Sequence, residues 1–258
     1  MLRPRIIPCL LVHDGGLVKT VGFAEPKYVG DPINAVRIFN EKEADELIVL
    51  DIDATVEGRE PNYRLIAQFA AECRMPLCYG GGVRTVEQVR RIIGLGVEKV
   101  SLSAAAMADP ALITQAATAV GSQSVVVVLD VRRKGGDWQV FTHNGKRATG
   151  RTVEEAARIA ESAGAGEVVL NSIDQDGLMK GYDLELATRV RSSMRLPMTV
   201  LGGAGSLADM SGLLAACGVI GVAAGSFFVF KGARRAVLIS YLNREQKETL
   251  FQPLVTGG

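Results

Sequence analysis

A chain of 258 residues has room for one α/β barrel of the usual size, about 250 residues, and buries a core without disulfide or metal staples. With 48% hydrophobic and 22% charged residues it is no disordered polymer, and 29 Lys+Arg against 28 Asp+Glu leave no basic field for nucleic acid. Four scattered cysteines (Cys9, Cys73, Cys78, Cys217) without a C-x-x-C pair, and two histidines, point to a reduced cytoplasmic compartment, with no metal and no cofactor expected.

The chain opens Met1-Leu2-Arg3-Pro4-Arg5 and runs straight into a strand, without an apolar signal core. No apolar run reaches membrane-spanning length, so no membrane partner is expected. Strands are predicted at 5–11, 46–51, 76–80, 98–103, 124–130, 167–171, 197–201 and 219–224. They are apolar almost throughout, as strands covered by helices are. Residues 12–30 are long for a βα loop and rich in Gly and Lys. With Lys19 at their centre they read as a lid over a ligand, or as an ordinary surface insertion. A helix follows at 31–43, where Ile33, Val36, Ile38 and Phe39 share a face behind the cap Asp31-Pro32. Thr85 caps another at 85–95, and similar patterns recur at 109–120, 152–163, 183–192, 206–216 and 232–243. Between them, 131–149 carries an alternating Trp138–His143 run and an Asn144-Gly145 turn, which predicts a hairpin.

Eight strands alternating with about eight helices fit a closed barrel or a long open sheet. An internal repeat decides between them. Residues 76–105 and 197–226 align without gaps at a shift of 121, and the same shift brings Glu46 onto Glu167 and Asp53 onto Asp174. Two equivalent halves, about 1–120 and 121–245, imply a single (βα)8 TIM barrel over residues 1–258.

The chemistry-bearing residues cluster after strand ends. Gly80-Gly81-Gly82 and Gly202-Gly203-Ala204-Gly205 each lie between a strand and a helix. Without a Cβ, backbone N–H groups there can approach a phosphate, although such glycines also make tight connections. Gly225-Ser226 completes a strand 7–8 phosphate cradle, and Asp176-Gly177 lies beside it. Asp130 ends the fifth strand in an apolar run. There it reads as a general acid or base raised in pKa by burial, or as the partner of Arg132 or Arg133. Asp51, Asp53 and Asp174 stand near strand ends as substrate-hydroxyl or loop-holding groups. At the opposite end Arg5, Glu46, Lys99 and Glu167 start four different strands. They could form a ring, but spacing alone favours ordinary surface charges.

These residues carry a resemblance. Arg5–Leu10, Gly30-Asp31-Pro32, Asp45-Glu46-Leu47, Leu50-Asp51-Ile52, Gly80–Gly82, Glu98–Ser101, Gly121–Gln123, Asp130, Phe141–His143, Gly164–Glu167, Ser172–Gly177, Gly181–Asp183 and Gly202–Gly205 closely resemble the cyclase subunit of imidazole glycerol phosphate synthase, collinearly to about residue 243. The resemblance implies a barrel that binds a substrate with two phosphates. It also implies a glutaminase docked on the barrel bottom and ammonia passing through the core. Arg5, Glu46, Lys99 and Glu167 are then the gate of that passage.

The departures lie at the other end. The family has catalytic aspartates ending strands 1 and 5; here these positions are Leu11 and Asp130. A phosphate site after strand 4, normally Asn-Thr, reads Ser103-Ala104; Asn171 replaces Thr, Leu201 replaces Ser, and Asp53 replaces Thr. Leucine neither gives nor takes a proton, so ring closure is altered or lost while ammonia delivery is kept. The runs Lys27–Asn34 and Phe39–Glu43 resemble family paralogues associated with bacterial surface polysaccharides, thought to supply ammonia for acetamidino sugars. The expected role is a barrel subunit in heterodimer with a glutaminase, with a phosphorylated small molecule and a third amidotransferase protein as further partners. The alternatives are an authentic cyclase of histidine biosynthesis, with Asp53 or Asp174 as the second acid, and a phosphometabolite-binding scaffold.

Overall fold

The computed structural model describes residues 3–232 and 234–255, so Met1 and Leu2 of the opening run lie outside the described residues. In chain order it comprises β1 (Arg5–His13), β2 (Gly16–Val21), β3 (Ala24–Gly30), α1 (Pro32–Glu41), β4 (Leu47–Asp51), α2 (Tyr63–Glu72), β5 (Leu77–Gly80) and α3 (Val86–Gly94). Then come β6 (Lys99–Leu102), α4 (Ala104–Ala108), α5 (Ala111–Val120), β7 (Val125–Lys134), β8 (Asp137–Thr142), β9 (Arg147–Thr152), α6 (Val153–Ser162) and β10 (Glu167–Ser172). The chain finishes with α7 (Leu184–Ser193), β11 (Met198–Leu201), α8 (Leu207–Cys217), β12 (Gly221–Ala224), α9 (Ser226–Val229), β13 (Phe230–Lys231), β14 (Ala236–Val237) and α10 (Arg244–Val255).

Strands β1, β4, β5, β6, β7, β10, β11 and β12 pair in parallel in that order, and β12 returns to β1 through Arg5↔Gly221 and Pro8↔Ala224. The expected (βα)8 TIM barrel is therefore closed. Alternation along each strand divides the core. Ile6, Leu10, Val49 and Val127 face the helices, whereas Ile7, Cys9, Ile48, Cys78, Val126, Val128, Val169 and Leu201 fill the barrel. Leu11 and Leu50 pack against that inner cluster. Helix starts are locally encoded: capping boxes join Thr85 to Gln88, Thr152 to Glu155 and Ser206 to Asp209.

Three expectations need correction. Residues 12–30 are a β-meander rather than a loop: β1 pairs antiparallel with β2, and β2 with β3. Asp14-Gly15 and Gly22-Phe23, all at positive φ, make the two tight reversals. An Asp-Gly pair flanked by apolar residues is a hairpin signal, and the Gly/Lys content had masked it. Secondly, the described residues of 232–243 form no helix, and residue 233 lies outside them. The Arg235 N–H on the Gly232 carbonyl closes a turn, and Leu238 and Ser240 then donate backbone N–H to the carbonyls of Val229 and Phe228. The helix starts only at Arg244, behind Asn243, whose side chain accepts from the Gln246 N–H and whose own N–H donates to the Gln246 side-chain oxygen. Thirdly, α2 follows Asn62, whose side chain accepts from the Leu65 N–H; the sequence pattern had not singled it out. The hairpin expected at 131–149 is present as two: β7 pairs antiparallel with β8 about residues 135–136, and β8 with β9 about residues 143–146.

Candidate functional site

At the starts of the barrel strands the four expected charges meet. Arg5 bonds Glu46, and its Nη2 lies 2.7 Å from Glu167 Oε1. Lys99 Nζ closes the cycle at 2.8 Å from Glu46 Oε1 and 2.9 Å from Glu167 Oε2. Both carboxylates are buried. Two buried anions would be prohibitive alone; alternated with two cations they form a neutral, fully bonded plug. Burial works to raise the Glu167 pKa, but the hydrogen bond and charge of Arg5, then Lys99 and Thr199, hold it down at about 2. The same pairings raise Arg5 and Lys99 against the effect of burial. Reading spacing alone as surface charge was therefore wrong, because barrel closure brings residues 41 to 162 positions apart into contact. Thr199 was missed. It is wholly buried and donates its hydroxyl to Glu167 at 2.6 Å; a lone Thr in an apolar strand was the available signal.

At the strand C-terminal ends lies a cavity of about 340 Å³. Leu11, Lys19, Gly81, Gly82, Ser103, Asp130 and Asn171 line it, as do Asp176, Gly177, Gly202, Gly203, Gly225 and Ser226. The fold thus collects every residue expected at this end except Gly205, Asp53 and Asp174. Asp53 is occupied at the rim by His13 Nδ1, 2.7 Å away, and by the Asp14 N–H. Asp174 accepts from the Arg133 N–H and faces Arg132 at 3.6 Å. Both hold loops. Asp51 lines the cavity and also caps its own turn, accepting from the Asp53 and Ala54 N–H groups.

Asp130 pairs with neither arginine. Its Oδ1 accepts from Asn171 Nδ2 at 2.9 Å, one strand away, where Asn171 and Asp130 are register partners. Burial pushes Asp130 up to about 7, with the Asn171 hydrogen bond acting in the opposite direction. Lys19 is a buried strand residue whose Nζ donates to the Cys9 carbonyl at 2.6 Å, and burial lowers its pKa. No carboxylate lies within salt-bridge distance of it among the described residues. Such a group, beside Gly225, suits an anionic ligand. Asp176 accepts from the Thr20 hydroxyl and the Phe23 N–H, which ties the meander to the turn after β10.

The glycine turns are needed by the backbone itself. Gly203 has φ +111°, and a Cβ there would lie 2.0 Å from the Gly181 carbonyl oxygen; Gly81 is similarly pressed on Asp51. At these two positions the tight connection alone already requires glycine. As for cations, His13, Asp14 and Asp53 form the one group among the described residues with three ligand atoms within 4.8 Å of one another. Thr20, Phe23, Arg84 and Asn144 also line the cavity and were not anticipated; the first two enter only because the meander folds over the mouth.

A closed parallel barrel with helices between its strands and a cavity at the strand C-terminal ends is a TIM barrel, a fold whose sites lie at that end. The chain belongs to the histidine biosynthesis protein family, whose model matches residues 5–234, and within it to the HisF branch. A relative from Leptospira interrogans, provisionally named imidazole glycerol phosphate synthase subunit HisF, is 56% identical over 97% of this chain and 100% of its own length. Another from Pseudomonas aeruginosa, provisionally named subunit hisF2 of that synthase, is 56% identical over 93% of this chain and 96% of its own. The Hyphomonas neptunium protein named imidazole glycerol phosphate synthase subunit HisF is 44% identical, covering 92% of this chain and 94% of its own. No helix among the described residues is long and apolar enough to cross a membrane.

Proposed function

We propose that this chain is the barrel subunit of a glutamine-dependent amidotransferase complex. A separate glutaminase docks at the end bearing Arg5, Glu46, Lys99 and Glu167, forming a heterodimer, and ammonia enters through that ring. The names of the relatives and the closed ring support the reading. The inner cluster of Ile7, Ile48, Val126 and Val169 gives uncharged ammonia a path that repels ions. At the far end, Lys19, Ser103, Gly81, Gly82, Gly202, Gly203, Gly225 and Ser226 bind a phosphorylated small molecule.

The observation that carries the finer reading is Leu11. Its side chain packs on the apolar barrel interior and lines the cavity, where the family resemblance implies a second aspartate. We take the ammonia to be passed to sugar amidation in surface-polysaccharide biosynthesis, with a third amidotransferase protein as partner. The runs Lys27–Asn34 and Phe39–Glu43 support this.

The second reading, an authentic cyclase, is favoured by the name of the Hyphomonas relative. It needs another acid in place of Leu11, and Asp53 and Asp174 are spent on loop contacts outside the cavity. Ammonia-dependent turnover of the open-ribose precursor of imidazole glycerol phosphate, without glutaminase, separates the two. The proposal expects no turnover from folded protein; turnover comparable with an authentic cyclase overturns it in favour of the second reading.

A further inference from the structure

Asp130 is a carboxyl with one fixed and one open oxygen. Oδ1 is held by Asn171 Nδ2 at 2.9 Å. Among the described residues Oδ2 has no hydrogen-bond partner, and Asp130 lines the cavity. Asn171 is itself 4% exposed and lies in the barrel wall between β7 and β11. The opposite amide rotamer would set an amide oxygen against the carboxyl oxygen, two acceptors facing each other whenever Asp130 is ionised. Donation by Nδ2 works in both protonation states of Asp130. The same cavity is lined by apolar side chains: Leu11 and Cys9 from β1, Val128 from β7, and Leu201, the register partner of Asn171, from β11.

We propose that Asn171 is a positioning residue that locks Oδ1 of Asp130 and leaves Oδ2 as the proton-exchanging atom of that carboxyl. This rests on the proposed arrival of ammonia there. When a nitrogen nucleophile adds to a carbon and an oxygen departs, the C–N bond forms, the C–O bond breaks, and one proton must pass from nitrogen to oxygen. Asp130 Oδ2 takes that proton and returns it, so the carboxyl ends as it began. One carboxyl that titrates near the working pH suffices for this single transfer, whereas ring closure calls on the two that the family resemblance implies. Burial sets that range, Asp176 raises it further, and the Asn171 donor restrains it. The other titratable groups that face this region are the Cys9 thiol on β1, Lys19 on β2, Asp51 on β4, and His143 in the β8–β9 turn. A fixed orientation also decides which ligand atom meets the proton, which an untethered carboxyl rotating about its last bond does not.

The test follows the Asp130 carboxyl by ¹³C NMR against pH in the purified full chain, without glutaminase or ligand. In Asn171→Leu the midpoint is expected to rise by about one pH unit, the tenfold change in proton affinity from losing one charge-assisted hydrogen bond. Asn171→Thr, which keeps a hydroxyl donor, stays nearer the natural protein. An unmoved midpoint in folded Asn171→Leu overturns the proposal. Should that variant not fold, the natural protein still decides: the Asn171 side-chain amide resonances must shift with the Asp130 midpoint, and flat resonances overturn it. No readout here involves glutamine, so failure leaves the amidotransferase reading standing, and failure of glutaminase coupling leaves the titration intact.

Discussion

Thr20 on β2 donates its hydroxyl to Asp176, beyond β10, at 2.6 Å, and so pins the meander across the mouth of the barrel. Both residues line the cavity. The Gly22 N–H, donating to the Asp176 carbonyl at 3.1 Å, repeats the link in backbone.

Thr20→Val keeps shape and burial but removes the donor, which leaves the half-buried Asp176 carboxylate with the Phe23 N–H alone. The loss is worth about 1.5–3 kcal/mol, as for hydrogen bonds to charged groups. Hydrogen exchange across residues 16–30 should therefore rise about tenfold or more, with exchange in β5 and β6 unchanged.

The ring makes stability depend on acid. Glu167 titrates at about 2 in the folded barrel against 4.5 ordinarily. A depressed carboxyl contributes its full stability above its unfolded pKa and loses it as pH falls through the folded one. Denaturant midpoints should thus fall between pH 4.5 and about 2, and Glu167→Gln should flatten that decline while lowering stability at pH 7. A Glu167→Gln profile as steep as the natural one would contradict the ion pairing.

Gly203→Ala forces a side chain into left-handed backbone and against the Gly181 carbonyl. It should cost more than about 2 kcal/mol, read as a lowered urea midpoint. Gly218→Ala also sits at positive φ but meets no atom within 4 Å, so it should cost less.

Most of the barrel was legible because period and punctuation were local. Apolar strands, capping residues such as Thr85 and the shift of 121 need no knowledge of distant contacts. The cavity was legible for the same reason: strand ends of a barrel converge whatever lies between them. What escaped depended on long-range contacts. Whether Arg5 and Glu167 are surface charges or a buried pair is decided by closure across 162 positions. The tether from Asn171 to Asp130 depends on two strands that pair only in the folded sheet. For Lys19 the signal is local: the Asp14-Gly15 pair is a hairpin turn, and it turns the Lys19 segment from loop into strand.

The central claim, a barrel that works with a glutaminase, is tested most directly by the rate of glutamine hydrolysis by the cognate glutaminase with and without this protein. The account predicts association and a stimulation of about tenfold or more, diminished by Glu46→Ala, which leaves Lys99 and Arg5 each short of a partner. Purified partners that neither associate nor show stimulated hydrolysis would contradict it.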